Sequence, residues 1–103
     1  MLIHLSKEQN FKELVSKGIT LVDFYATWCG PCRMLAPELE KLAEIDTSIN
    51  VIKVDVDECP EVAGDFGIRA VPTLILFKDG AVVTSSSGYR PFNSLKNLVD
   101  SAK

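Results

Sequence analysis

Apolar positions fall into two kinds of run along the chain, and the spacing inside each run assigns it to a strand or a helix. Residues 19–26 (Ile-Thr-Leu-Val-Asp-Phe-Tyr-Ala) are rich in β-formers and almost continuously apolar, which predicts a central strand covered on both faces. Residues 49–56 alternate apolar and polar side chains through Ile49, Val51, Val54 and Val56, the period of a second strand. Residues 73–77 and 81–84 read as two more strands, and Asp79-Gly80 between them is a strong hairpin signal. Ser85-Ser86-Ser87-Gly88 is either a polar extension of the last strand or a loop, and residues 2–5 are a candidate short strand.

The helical period appears between these runs. Phe11, Leu14 and Val15 form a short stripe ending near Gly18, with Ser6 and Gln9 in capping-box spacing ahead of it. Leu35, Leu39 and Leu42 mark a long helix over residues 30–46, in which Pro37 removes one backbone hydrogen bond and predicts a bend rather than an end. Pro60 opens a short helix with Val62, Ala63 and Phe66 inward and Gly67 closing it. Pro91 opens a last helix, with Leu95, Leu98, Val99 and Ala102 on one face. The order β-α-β-α-β-α-β-β-α implies parallel pairing through right-handed crossovers, plus one antiparallel hairpin. The expected product is an α/β sandwich: a mixed sheet with helices on both faces.

Composition narrows the possibilities. With 103 residues, 47% of them hydrophobic and 24% charged, the chain reads as a single domain over residues 1–103. A net charge of −3 without any basic run argues against nucleic acid or an anionic membrane as partner. The apolar start, Met1 to Leu5, lacks a basic flank and soon reaches Ser6-Lys7-Glu8, so it reads as neither signal peptide nor membrane span. The expected compartment is the cytoplasm, where a close pair of cysteines points to catalysis or metal binding rather than to a structural staple.

That pair is Cys29-Gly30-Pro31-Cys32, placed where the central strand turns into the long helix. Unsatisfied N–H groups and the positive end of the helix dipole favour a thiolate at Cys29. Pro31 fits a first helical turn, where its missing N–H costs nothing. Disulfide exchange needs one thiolate to attack and a second thiol to expel it. We assign Cys29 as the nucleophile, being at the accessible helix mouth, and Cys32 as the resolving thiol, one turn inside and less exposed. Lowering a thiol pKa from about 8.5 to about 7 raises its thiolate fraction at neutral pH roughly 15-fold. The same shift costs roughly five-fold in nucleophilicity, so activation alone gives only about three-fold. Most of the rate must come from positioning and from the effective concentration of Cys32. Asp23, inside an apolar strand, is a candidate buried carboxyl with a raised pKa suited to proton transfer.

Residues 22–37, Val-Asp-Phe-Tyr-Ala-Thr-Trp-Cys-Gly-Pro-Cys-Arg-Met-Leu-Ala-Pro, resemble the active-site segment of the thioredoxin family. The similarity continues through Lys53 to Asp57, Gly67 to Thr73, Phe77 to Gly80 and Gly88, with matching spacing over essentially the whole chain. It implies the thioredoxin fold, with about five strands and about four helices, and a protein-disulfide oxidoreductase that supports cell redox homeostasis. By this resemblance Asp23 is acid and base for Cys32, with Lys53 as its charge partner. The resemblance also implies that the Val71-Pro72 bond is cis and packs against the dithiol. A substrate-binding surface is implied at Trp28, Gly30, Pro31, Gly67, Ile68, Val71, Pro72, Gly88 and Tyr89. No cofactor or metal is expected beyond the Cys29–Cys32 disulfide. Expected partners are an NADPH- and FAD-dependent thioredoxin reductase and clients such as ribonucleotide reductase, peroxiredoxin and methionine sulfoxide reductase, met by a monomer.

Some residues depart from the family pattern. Tyr25 stands where many relatives carry Trp or Phe, Tyr89 where a small residue is common, and Cys59 where this turn commonly has Asn. Cys59 has two open readings, an inert or merely oxidisable thiol and a regulatory or intermolecular disulfide. A rival metal reading draws on His4, Cys29, Cys32 and Cys59 as a nominal zinc set, but it lacks a second close ligand pair. His4 otherwise reads as a strand-edge residue. A second rival is an interaction subunit with an incidental dithiol, against which Asp23, both cysteines and Pro72 stand together.

Overall fold

The computed structural model describes residues 1–103. Its elements in chain order are β1 (Leu2–His4), α1 (Phe11–Leu14), β2 (Ile19–Tyr25), α2 (Gly30–Ile45), β3 (Ile49–Asp55), α3 (Pro60–Asp65), β4 (Thr73–Lys78), β5 (Ala81–Ser87) and α4 (Phe92–Asp100). The sheet order is β1-β3-β2-β4-β5. β3 runs parallel to both β1 and β2, while β4 runs antiparallel to β2 and β5. The near-continuous apolarity of β2 follows from this central position. Val22 and Phe24 face one helical layer and Leu21 the other, and all three are fully buried.

Two cores result, one on each side of the sheet. The first packs Leu35, Leu39 and Leu42 of α2 and Leu95 and Val99 of α4 against Leu21, Val51, Leu74 and Leu76. Each fully buried leucine contributes roughly 1.5–3 kcal/mol, and this anchors the long helix that carries the dithiol. On the other side the Phe11, Phe66 and Phe77 rings meet edge to face at 5.5–5.8 Å, closing α1 and α3 over β2 and β4. α2 passes through Pro37 without ending. At its far end Asp46 caps the helix and takes Lys96 and Lys103 at 3.2 and 2.7 Å, so α4 is tied to α2 there. The hydrogen bond from the Lys103 ammonium, ahead of that from Ser48, holds the Asp46 carboxyl well below the usual range.

Three local expectations are refined. The Ser6 N–H does donate to the Gln9 side chain at 2.8 Å, but this closes a turn rather than starting a helix. α1 begins instead after Asn10, whose side-chain oxygen accepts the Glu13 N–H, and lasts one turn. The serine run extends β5 to Ser87, because its backbone pairs with β4 as far as Thr73. Asp79 and Gly80 both take positive φ, 49° and 86°, the conformation a tight hairpin demands. The Asp79 side chain also accepts the Gly18 N–H at 2.8 Å, joining the hairpin to the start of β2.

Candidate active site

β2 ends at Tyr25 and α2 starts at Gly30, so the dithiol stands at the carboxyl end of the central strand. Cys29 is the N-cap of α2 and Pro31 lies in its first turn. Cys29 and Cys32 are joined as a disulfide, with Cα atoms 5.2 Å apart. The Cys29 sulfur accepts the Cys32 N–H at 3.2 Å, a donor left free by the helix start. It also lies 3.7 Å from the carbonyl oxygen of Val71. That contact brings the turn before β4 to the dithiol, and the Val71–Pro72 bond within the turn is cis.

The two sulfurs differ less in exposure than the helix position suggests. Cys29 is 5% exposed and Cys32 3%, because Val56 and Val71, distant in sequence, pack over both together with Ala26 and Tyr25. Contact distinguishes them better than exposure does. Only Cys29 receives a backbone N–H at its sulfur and faces the Val71 carbonyl.

Asp23 is fully buried, and neither of its carboxyl oxygens has a hydrogen-bond partner. Strand alternation puts it on the same face as Leu21, which packs beneath α2. Asp23 is two residues nearer the start of that helix, and so lies on the side where Cys32 and Leu35 face inward. Burial pushes its pKa up to about 6, and the charge of Lys53 only partly offsets this. Lys53 is the register partner of Asp23 on β3, but its ammonium sits over the Tyr25 ring at 4.4 Å and forms no ion pair with the carboxyl. The expected charge pair is therefore an influence through space, not a contact.

Trp28 is 68% exposed, and its indole N–H donates to Asp57 at 3.0 Å. A groove of about 410 Å³ runs beside it, lined by Trp28, Val56, Ile68, Arg69, Ala70 and Val71. Gly30 and Pro31 lie in the dithiol turn itself, and Pro72 is buried behind Val71. Gly67, Gly88 and Tyr89 do not line the groove. Gly67 follows α3. Gly88, with φ 96°, donates its N–H to the Pro72 carbonyl at 2.8 Å and so braces the cis-proline turn. Tyr89 reaches the other way, its hydroxyl 3.3 Å from Glu38 on α2.

Sequence reasoning missed Asp57 as the anchor of the indole and missed Arg69, Ala70 and Val56 as groove walls. No spacing rule marks them, since the groove joins three separate segments. Thr73 likewise carries no sequence signal for its role, in which its hydroxyl donates to the Ala70 carbonyl at 2.6 Å and pins the turn. The nominal zinc set is not assembled. Cys29 and Cys32 are bonded to each other, while Cys59 is buried in the core on the α1 and α3 side with its sulfur near the Leu5 carbonyl. Burial, followed by the Glu58 carboxylate, pushes the Cys59 thiol pKa up, which favours the inert reading.

A redox-active disulfide at a helix start, faced by a cis-proline turn on a mixed sheet, defines a protein that exchanges dithiols and disulfides. Comparison with known proteins agrees. The Thioredoxin family profile matches residues 2–101. Thioredoxin of Bacillus subtilis is 45% identical over 101 residues, covering 97% of each chain. Thioredoxin of Chlamydia muridarum is 43% identical over 98 residues, covering 95% of this chain and 96% of its own. Among solved structures, a mutant thioredoxin from Halobacterium salinarum superposes with a TM-score of 0.90 at 40% identity, covering 97% of this chain and 88% of its own. A structure described as the basis of thiol resolution in yeast mitochondrial 1-Cys peroxiredoxin through glutathione and thioredoxin systems superposes with a TM-score of 0.88 at 34% identity, covering 97% and 94%. The chain belongs to the thioredoxin family and is a protein-disulfide oxidoreductase of thioredoxin type.

Proposed function

We propose that the chain reduces disulfides in other proteins through a mixed disulfide, with Cys29 as nucleophile and Cys32 as resolving thiol. The observation that carries this assignment is the Cys32 N–H directed at the Cys29 sulfur. In the reduced protein the same donor stabilises a thiolate at Cys29. That thiolate attacks one sulfur of the client disulfide and the other leaves as a thiolate. Cys32 then attacks Cys29, releasing the reduced client and restoring the Cys29–Cys32 disulfide.

Asp23 serves as the proton acceptor for Cys32 during release, supported by its burial, its lack of partners and its pKa near 6. Lys53 tunes that value by its charge. Trp28, Ile68 and Val71 form the apolar docking surface, with Pro72 fixing the Val71 backbone beside the reacting sulfur. Gly30 and Pro31 shape the entry to α2. Gly67, Gly88 and Tyr89 support the docking surface from its margins rather than lining it. An extended client segment would lie along Val71 by backbone pairing, a mode that reads shape more than side chain.

Recharging by a reductase is general to the family. For this chain we assign an NADPH-dependent flavoprotein thioredoxin reductase, cytoplasmic action as a monomer and a single domain over residues 1–103. The peroxiredoxin named with the yeast structure supports peroxiredoxins as a client class. Ribonucleotide reductase and methionine sulfoxide reductase rest on the family resemblance. The test is NADPH oxidation in the presence of a bacterial thioredoxin reductase, insulin and the purified chain. Steady consumption that requires all three components is expected. Consumption that is independent of the chain contradicts the reading.

A further inference from the structure

The charge around the dithiol is distributed differently from that of the rest of the fold. The chain has 14 acidic and 11 basic side chains, with a net charge of −3. All four ion pairs nevertheless lie among Asp46, Lys96, Asp100 and Lys103. Asp46 caps the end of α2 opposite the dithiol, and a helix of 16 residues at about 1.5 Å per residue separates the two ends by roughly 24 Å. At the dithiol end, Arg69 is exposed in the wall of the groove beside Trp28 and Val71, with no carboxylate and no hydrogen-bond partner. The other arginines of this end are already engaged, the Arg33 guanidinium donating to the Thr27 carbonyl at 3.1 Å and the Arg90 guanidinium to the Ser94 hydroxyl at 3.3 Å. Of the nearby acids, Asp57 is held by the Trp28 indole, and Glu58 does not line the groove.

An apolar groove with one free guanidinium on its wall is complementary to a particular kind of chain segment. We infer that Arg69 is a specificity-determining residue that selects client segments carrying a carboxylate beside an apolar residue next to the disulfide. The occupant is an extended, acidic, disulfide-bearing stretch of a client protein. Its apolar side chain fills the space between Trp28, Ile68 and Val71, and its carboxylate meets the guanidinium, whose planar donor fork suits that group. A client carrying lysine at the same place would meet a like charge, so discrimination comes from repulsion as well as attraction. This inference rests on the reading of the groove as the client surface.

The test uses the reduced full-length chain and three disulfide-bonded peptides that differ only in glutamate, glutamine or lysine flanking the attacked cysteine. Single-turnover rates are followed by Trp28 fluorescence. The readout is the ratio of the glutamate rate to the lysine rate, so an overall slowing of a variant does not enter. Exposed ion pairs are individually weak, and a ratio of about five is expected at low ionic strength. It should fall toward one in about 1 M salt, where the screening length is about 3 Å. Arg69→Gln should bring the ratio near one at low salt and Arg69→Glu should invert it, while Arg33→Gln leaves the preference in place. A ratio near one in the wild type, or one unchanged in Arg69→Gln, overturns the inference while leaving the exchange activity standing. Failure to reduce any of the three peptides would instead contradict the exchange activity, and the inference with it.

Discussion

Cys29→Ser abolishes dithiothreitol-driven insulin reduction, whereas Cys59→Ser retains most of it. The first variant removes the atom that forms the mixed disulfide, and a serine hydroxyl at the same helix start has no comparable nucleophilicity at neutral pH. Cys32 cannot take over, because its sulfur neither faces the Val71 carbonyl nor receives a backbone N–H. The rate should therefore drop to that of dithiothreitol alone. Cys59 is buried on the opposite side of the sheet, its sulfur near the Leu5 carbonyl, and takes no part in the site. Turbidity onset in the insulin assay distinguishes the two outcomes. Retained activity in Cys29→Ser, or its loss in a folded Cys59→Ser, would contradict the assignment of the nucleophile.

Asp23→Asn has the second large effect, and its sign depends on pH. Burial raises the Asp23 carboxyl from 3.8 to about 6 in the folded protein. The native state therefore binds a proton more tightly than the unfolded chain, and wild-type stability falls as pH rises from about 4 to about 6. Above that window the penalty is complete. Two pKa units at 1.36 kcal/mol each set it at about 3 kcal/mol, so oxidised Asp23→Asn should be more stable than the wild type at pH 8 by about 2–3 kcal/mol. The difference should shrink toward zero below pH 4. Urea denaturation at several pH values measures it. The same variant should slow client release by about 100-fold near pH 7, the lower end of general acid–base contributions, and should lose the inflection near pH 6. A carboxylate that stabilises the oxidised fold at pH 8 would contradict both expectations.

Most of the architecture was legible because burial imposes a period on the sequence. The apolar run of β2 is continuous because the strand has helices on both faces, and the leucine repeat of α2 exists because only one face of that helix meets the sheet. The hairpin was legible because two consecutive positive φ values suit few residue pairs other than Asp-Gly. The start of the first helix is not legible from Ser6 and Gln9, because that pattern makes its hydrogen bond whether or not a helix follows. The dithiol itself was plain, but its near-burial was not, since the covering residues Val56 and Val71 come from other segments. The relation of Lys53 to Asp23 was half legible. Strand register makes them neighbours, while the preference of the ammonium for the Tyr25 ring depends on side-chain placement that no pattern encodes.

The most direct measurement of the exchange mechanism is to incubate reduced Cys32→Ser with a disulfide-bonded client and map the product by mass spectrometry after alkylation. Without the resolving thiol, attack by Cys29 should stop at a stable one-to-one covalent adduct, with the client cysteine attached to the peptide containing Cys29. Absence of an adduct, or attachment of the client at Cys59, would contradict the account.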